Sequence, residues 1–420
     1  MISKSDILYK NLQKRYSRKI NLNLNRIQKV LGKMDCPHLE LSNPINIIGS
    51  DGKMSTLTSL KYFLENQRKN LTAFTSPHLL DVRERFWLKN RFIKIEEMKK
   101  YIKDIENTKL KLTLFELLTC VYILAAKNQK KINYNLVEAG LLFKKDSTNL
   151  WTHPRAQIVT NINFQHQDWI KPKTLNEICN QKLSSLSQNT TIYVGKQKPQ
   201  TLKIIKKILN KNKSKKVYAS NWSIKKVKNH YIYKDHNVII PIKSKLINSE
   251  GLIQNLGLSI RVALDLGVSK KTIIRTIPKI KFEGRMQYLR KGNLKKMLNR
   301  NENLLIDGCH SIESAKNLYN FLKTLKEPIY GIWGMQKNKL PDSFIKIFKK
   351  IFTKVFTITI PKEKNSLKSQ ELKKISQKYN NKTFESLNFK SALKKISSNK
   401  KKTIVIFGSL YLVGKVLREN

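Results

Sequence analysis

Apolar residues recur along this chain at two spacings, and the alternation between them outlines a fold before any motif is considered. Leu8 and Leu12, then Leu22, Ile27 and Leu31, predict two short helices over 7–35. A β-type run, Ile45-Asn46-Ile47-Ile48, leads into helix-compatible sequence through Leu57, Leu60, Tyr62 and Phe63. Leu71–Thr75 reads as a second strand and 96–107 as a helix. The stripe Phe115, Leu117, Leu118, Val121, Leu124 predicts a longer helix from Thr113 to Asn128. Strands follow at Tyr134–Glu138 and Gln157–Thr160. This β–α–β alternation predicts a mostly parallel sheet flanked by helices. Residues 190–250, rich in β-branched residues and Tyr, read as the last strands of that domain, followed by helices at 253–266 and from Lys270. Residues 288–302 are rich in Lys and Asn and lack periodicity, so a linker is expected there. The pattern then restarts with strands at Leu304–Ile306, 329–333, 354–359 and 403–407, alternating with helices from Ser314 and at 341–352, 366–379 and 390–397. The expectation is α/β throughout: a mostly parallel P-loop domain over 1–290, a linker at 291–300, and a smaller Rossmann-like domain over 301–420.

Composition narrows the class. A chain of 420 residues exceeds what one core usually supports, which agrees with two domains. An apolar fraction of 40% suits globular cores. No apolar run approaches the ~18 residues of a membrane span, and Met1–Asp6 lacks the apolar core of a secretory signal. Cys36, Cys120, Cys179 and Cys309 are scattered without metal-ligand spacing and read as reduced thiols of a cytoplasmic protein. The net charge of +54 raises the question of nucleic acid. The lysines are spread over the whole chain, with no zinc finger or aromatic-rich sheet motif, so no specific nucleic-acid partner and no membrane partner is expected. Such a surface still steers polyanionic substrates inward.

The chemistry concentrates after the Ile45–Ile48 run. Gly49-Ser50-Asp51-Gly52-Lys53-Met54-Ser55-Thr56 joins a strand to a helix start, the arrangement in which backbone N–H groups and the helix dipole converge on a phosphate. Lys53 can neutralise β/γ-phosphate charge, and the Ser55 hydroxyl is placed to touch a phosphate-bound Mg²⁺. Ile47 stands where the first glycine of G-x-x-x-x-G-K would be, so the form is the shorter G-x-x-G-K-x-S. Ser76, Glu138, His166 and, in the second domain, Asp307 and His310 also fall at predicted carboxyl ends of strands, where open α/β sheets bind ligands. Mg²⁺ needs few protein ligands beside a triphosphate. Each residue has a plainer reading: a surface turn for the loop, a strand-end acid for Glu138, a structural histidine for His166, a turn for Ser76 before Pro77. Their joint placement favours a site.

The order and wording of these segments resemble the folylpolyglutamate synthase/dihydrofolate synthase branch of the Mur ligase superfamily, over essentially the whole chain. Leu24-Asn25-Arg26-Ile27 with Pro37-His38 is similar to its opening. The loop resembles G-T-N-G-K-G-S-T, and Thr75-Ser76-Pro77-His78-Leu79 with Glu84-Arg85-Phe86 resembles T-S-P-H-L…N-E-R-I. Leu112–Glu116 is similar to L-T-x-F-E, and Val137–Leu141 with Asp146–Asn149 to E-V-G-L-G-G-R-x-D-A-T-N. Gly284-Arg285 matches P-G-R, Ile306–Ser311 resembles L-D-G-A-H-N, and Phe407–Gly414 nearly repeats G-S-L-Y-L-V-G. The resemblance implies transfer of the γ-phosphoryl of ATP to a dihydropteroate or reduced folate carboxylate, attack by the amine of L-glutamate, and release of phosphate. It implies ATP and Mg²⁺ as cofactors and a monomer as the working form. On that scheme Lys53 and the loop hold the phosphates, and Ser55, Ser76, Glu138 and His166 hold metal. Asn255, Arg285, Asp307 and His310 contact the nucleotide, the last three on closure of the domains. Lys182 stands where a lysine can be carbamylated, and Asp146 where bifunctional members hold the pterin.

Departures from the pattern are Met54 for a glycine, Gln165 for the acid before the histidine, and Leu142-Phe143 for a glycine pair. Gly251-Leu252 stands for the His-Gln before Asn255, Ser311 for an asparagine, and the segments at 169–174 and 181–184 are altered. Two rival readings follow: another Mur-type ligase acting on a cell-wall precursor, or a polyanion-binding protein on a degraded ligase scaffold. Survival of Lys53, Ser76, Glu138, His166 and Asp307 favours an active enzyme.

Overall fold

A computed structural model describes every residue except 1–2, 18–20, 166, 228–229, 245 and 248. The chain divides into two compact units, Met1–Lys243 with Gln254–Ile280, and Ser244–Ile253 with Lys281–Asn420.

The first unit is built on an eight-stranded sheet. Its strands are β1 (Pro44–Ile48), β2 (Leu71–Phe74), β3 (Phe86–Leu88), β4 (Arg91–Phe92), β5 (Tyr134–Glu138), β6 (Ala156–Val159), β7 (Thr191–Val194) and β8 (Lys215–Tyr218). The spatial order is β4-β3-β2-β5-β1-β6-β7-β8. All neighbours from β2 to β8 run parallel; β3 and β4 add antiparallel at one edge. β1 and β2 are buried along their whole length, as strands covered on both faces must be, and this is why they are mostly apolar, with Asn46 and Thr72 the polar exceptions. One face packs on the helix Leu114–Lys127, whose Leu117, Val121 and Leu124 join Phe74, Phe86 and Val137 in one core. Thr113 caps that helix within a Thr113/Glu116 capping box. The helix Leu175–Leu183 carries Ile178, Cys179 and Leu183 into a second core with Ile48, Val159 and Ile192.

Residues 190–250 do not simply extend this sheet. Only β7 and β8 do so, separated by a helix, Pro199–Leu209, with proline at its first turn. β9 (Ser223–Val227), β10 (His230–Lys234) and β11 (Ile239–Ile242) form a separate antiparallel sheet, joined to helix Glu250–Asp265 through Arg261, which pairs with Asp235 at 2.8 Å.

The second unit holds a six-stranded sheet ordered β12-β13-β17-β14-β15-β16. Its strands are β12 (Gln287–Tyr288), β13 (Glu302–Asp307), β14 (Ile329–Trp333), β15 (Lys354–Thr357), β16 (Thr383–Glu385) and β17 (Lys402–Phe407), parallel except for β12. The stretch expected to be a linker, 291–300, is folded into this unit. It contains a short helix, Asn293–Lys296, with Leu294 buried. Asn420 clamps it: Asn293 N donates to the Asn420 carbonyl at 2.7 Å and Leu294 N to Asn420 Oδ1 at 3.2 Å. Residues 244–253 also belong here, because Asn317 accepts from Gly251 N and donates to Ser249 Oγ. Among the described residues no helix is long and apolar enough to cross a membrane.

Candidate active site

β1 lies at the middle of the first sheet, between β5 and β6, and its carboxyl end opens on the edge where parallel sheets place ligands. The chain leaves it through Gly49, at φ +150°, where a Cβ would run into Thr160 Oγ1. It turns at Gly52, at φ +93°, where a Cβ would stand 2.6 Å from Asn255 Oδ1. Helix Lys53–Asn66 starts there with no side-chain cap. Its first-turn N–H groups therefore have neither an intrahelical partner nor a capping side chain, and the positive end of the helix dipole adds to them. That is a seat for an anion. The amides of Ser50 and Asp51 are spent elsewhere, on the Asn161 carbonyl at 2.9 and 3.2 Å, and Thr56 N already bonds Gly52 O. The seat is thus the stretch Gly52–Ser55, narrower than the loop motif suggests.

Two lysines converge on the turn. Lys53 Nζ donates to the carbonyls of Gly49 and Ser50 at 3.2 and 3.4 Å. Lys182 Nζ, fully buried, donates to the carbonyls of Gly49 and Leu141 at 3.1 and 2.6 Å. Burial pushes the Lys182 amine down to about 7, Lys53 adds to the push, and Asp146, Cys179 and Asp51 oppose it. A neutral amine has two N–H bonds, enough for both carbonyls, and keeps its lone pair.

Ser55 Oγ donates to Gly52 O at 3.0 Å and accepts from Asn255 Nδ2 at 2.8 Å, so Asn255 rests on the loop itself. Thr56 Oγ1 is buried without a hydrogen-bond partner among the described residues. One strand over, Glu138 ends β5 next to Ile47's register position and is buried. Its Oε2 accepts from Ser76 N at 3.1 Å, which brings Ser76 and Glu138 together beside the turn. Glu84 shapes the loop after Ser76 by accepting from the amides of Leu79, Leu80 and Asp81. His166 lies outside the described residues. Among the described residues no three His, Cys, Asp or Glu side chains cluster as a metal cage. A buried carboxylate and serine hydroxyls form a donor set that suits a Mg²⁺ taking most of its ligands from phosphate and water.

Asp146 is buried, and its oxygens accept from Leu141 N (3.0 Å), Thr148 N (3.0 Å) and Thr148 Oγ1 (2.6 Å), so it organises its own loop. In the second unit, Asp307 ends β13 and accepts from Met286 N at 2.8 Å and Cys309 N at 2.7 Å. Burial raises its carboxyl, while Arg285 lowers it. His310 Nδ1 donates to Gly308 O at 2.9 Å, which in the neutral ring leaves Nε2 as the acceptor.

The motifs do not single out Asn161 and Asn163, which hold the phosphate turn together with Gln165. Ser50 Oγ and Asn163 bond reciprocally, and Asn163 Nδ2 and Gln165 Nε2 both donate to Asp51 Oδ2, at 2.7 and 2.9 Å. The available signal was polar alternation directly after β6: Asn161, Asn163, Gln165.

Known proteins resemble this chain in sequence and in fold. A family model described as dihydrofolate synthetase, C-terminal domain, matches residues 290–419. The chain is 25% identical over 327 residues to dihydrofolate synthetase of Saccharomyces cerevisiae, covering 72% of this chain and 73% of that one. It is 23% identical over 351 residues to dihydrofolate synthase/folylpolyglutamate synthase of Haemophilus influenzae, covering 78% and 76%. Its fold superposes with a TM-score of 0.85 on the bifunctional folylpolyglutamate synthase/dihydrofolate synthase of Yersinia pestis, solved with AMPPNP and Mn ion, at 18% identity over 99% and 98% of the two chains.

Proposed function

We infer, from the fact that this chain belongs to the folylpolyglutamate synthase/dihydrofolate synthase family, that it is an ATP-dependent ligase joining L-glutamate to the carboxylate of dihydropteroate, of a reduced folate, or of both. The observation that carries the reading to this chain's own residues is the uncapped helix start at Gly52–Ser55, with Lys53 on the turn and Glu138 in register one strand away. In this scheme the γ-phosphoryl of ATP passes to the substrate carboxylate. The glutamate amine then attacks the acyl phosphate, an amide forms and phosphate leaves. The chain's part is positioning and charge neutralisation around a polyanion.

Lys53 and the N–H groups of Gly52–Ser55 are assigned to the phosphates. Ser55, Ser76, Glu138 and His166 are assigned to Mg²⁺, which when bound neutralises phosphate charge. Arg285, Asp307 and His310 are assigned to the nucleotide. Asn255 is assigned to the nucleotide as well, and its bond to Ser55 adds the role of holding the loop. Burial lowers the Lys182 amine to about 7, which favours the neutral form whose lone pair attack on CO₂ requires. In that step an N–C bond forms, the amine loses a proton, and a carbamate results whose negative charge would support the metal. Asp146 supports the pterin by shaping the loop 141–148. Two finer points belong to this reading. The compartment is the cytoplasm, for which the free thiols Cys36, Cys120, Cys179 and Cys309 speak. The working form is a monomer.

Incubation with ATP, Mg²⁺, L-glutamate and either dihydropteroate or tetrahydrofolate, with product masses measured, tests the reading. A glutamyl adduct on one or both acceptors is expected. ATP turnover without an adduct on either would overturn it.

A further inference from the structure

The segment directly after β6 runs back along the phosphate turn and is bonded to it at every other residue. The Asn161 carbonyl takes the amides of Ser50 and Asp51. Asn163 N donates to Ser50 Oγ at 3.2 Å, and Ser50 Oγ donates to the Asn163 carbonyl at 3.3 Å. Asn163 Nδ2 and Gln165 Nε2 then close on one oxygen of Asp51. Asn163 also ties back to Asn161 Oδ1 at 3.2 Å. The turn is therefore strapped to 161–165, and the strap ends on the residue that precedes His166 in the chain.

The clasp of this strap is an acid at 51 facing an amide at 165. The family pattern has the reverse, an asparagine in the loop and an acid before the histidine. An acid at 165 in this chain would set two carboxylates against each other, which disfavours their joint ionisation. The two departures are thus one exchange: the acid and the amide have traded places across a 2.9 Å contact.

We propose that Asp51 is a positioning residue, whose carboxylate, through Asn163 and Gln165, fixes the strap on the phosphate turn and thereby sets the Mg²⁺ affinity of the nucleotide seat. The inference rests on reading the turn as a Mg-nucleotide seat. A group that only held the fold together would change stability; a group that places the metal-side segment must also change the Mg²⁺ requirement.

The test is a double-mutant cycle, Asp51→Asn, Gln165→Glu and the two combined, with Asp51→Ala alongside. The readouts are the Mg²⁺ concentration for half-maximal AMPPNP binding by calorimetry, the ligation rate, and the melting temperature. Gln165→Glu and Asp51→Ala are each expected to raise the Mg²⁺ requirement about tenfold, and Asp51→Asn to raise it less than Asp51→Ala. The combined exchange recovers most of the Gln165→Glu loss, because the amide introduced at 51 can then donate to the carboxylate introduced at 165. An unaffected Gln165→Glu, or a combined variant no better than the additive sum, overturns the proposal. Should Gln165→Glu fail to fold alone, folding of the combined variant is the rescue, and its failure overturns the clasp. Wild-type protein that binds Mg-AMPPNP but forms no adduct would sink the ligase reading while leaving the cycle readable. Ligation with a purely additive cycle sinks the clasp alone.

Discussion

Both units send a buried parallel strand through a glycine turn into a helix, yet they treat the helix terminus in opposite ways. After β1, Gly52 occupies the cap position and brings no side chain, so the first-turn N–H groups of Lys53–Asn66 are left for a group outside the fold. After β13, Ser311 caps the helix Ile312–Leu322: its Oγ accepts from Ser314 N at 3.2 Å, and Ser314 Oγ accepts from Ser311 N at 3.0 Å. Ser409 does similar work after β17, accepting from Tyr411 N at 3.1 Å. After β13 and β17 a serine thus closes the helix start that Gly52 leaves open after β1. Topology alone does not make a phosphate seat. A missing cap, two left-handed glycines and a cation at the first helical position do.

The contrast breaks most visibly at Lys53. Lys53→Ala removes the charge beside the phosphates, and loss of one such preorganised group lowers kcat by about 10²–10³. Among the described residues the side chain bonds two loop carbonyls, so the melting temperature should stay within a few degrees. Steady-state rates with ATP varied decide it; retention of more than about a tenth of the rate would remove Lys53 from the seat. Gly52→Ala comes next. It forces a Cβ to 2.6 Å from Asn255 Oδ1 at a left-handed φ, a strain of about 1–3 kcal/mol. Calorimetry with Mg-AMPPNP should show binding weakened about tenfold. Ser311→Ala is the matched change in the second unit. Loss of the cap costs about 1 kcal/mol in urea unfolding and leaves nucleotide affinity alone. Equal loss of affinity in the glycine and serine variants would erase the distinction between the two turns.

How much of this was readable beforehand follows from which interactions are local. The strand–turn–helix at 45–66 shows in sequence because a buried strand, two glycines and a helix stripe are consecutive. The hairpin of β3 and β4 does not show, since its turn places Lys89 and Asn90 at positive φ without the glycine that usually signals it. Helix Pro199–Leu209 was obscured by the β-branched character of Ile204, Ile205 and Ile208, although Pro199 at its start was a usable signal. The expected linker failed for a different reason. Its partner is Asn420, more than a hundred residues away, and no local pattern encodes that clamp. Within the site, motif residues announced the turn. The strap that holds it, Asn161 to Gln165, carries information only as a pairing with Ser50 and Asp51.

The last contrast concerns the two lysines that meet at the Gly49 carbonyl. Burial holds the Lys182 amine near 7. The unfolded chain keeps Lys182 at an ordinary lysine value. Above about pH 7 the folded amine has therefore lost a proton that the unfolded chain still binds. Unfolding then takes up a proton, and stability rises with pH until the ordinary lysine range is reached; below about 7 both states are protonated and this slope vanishes. Lys182→Met keeps the length and apolar packing but removes the group from both states. The difference in unfolding free energy between wild type and variant, taken from urea titrations between about pH 6 and 9, should climb toward about 1.4 kcal/mol per pH unit at most. A flat difference would mean that Nζ keeps its proton in the fold. A protonated amine has no lone pair for CO₂, so that result would also close the carbamate route and leave Lys182 as a second, purely electrostatic guard of the turn.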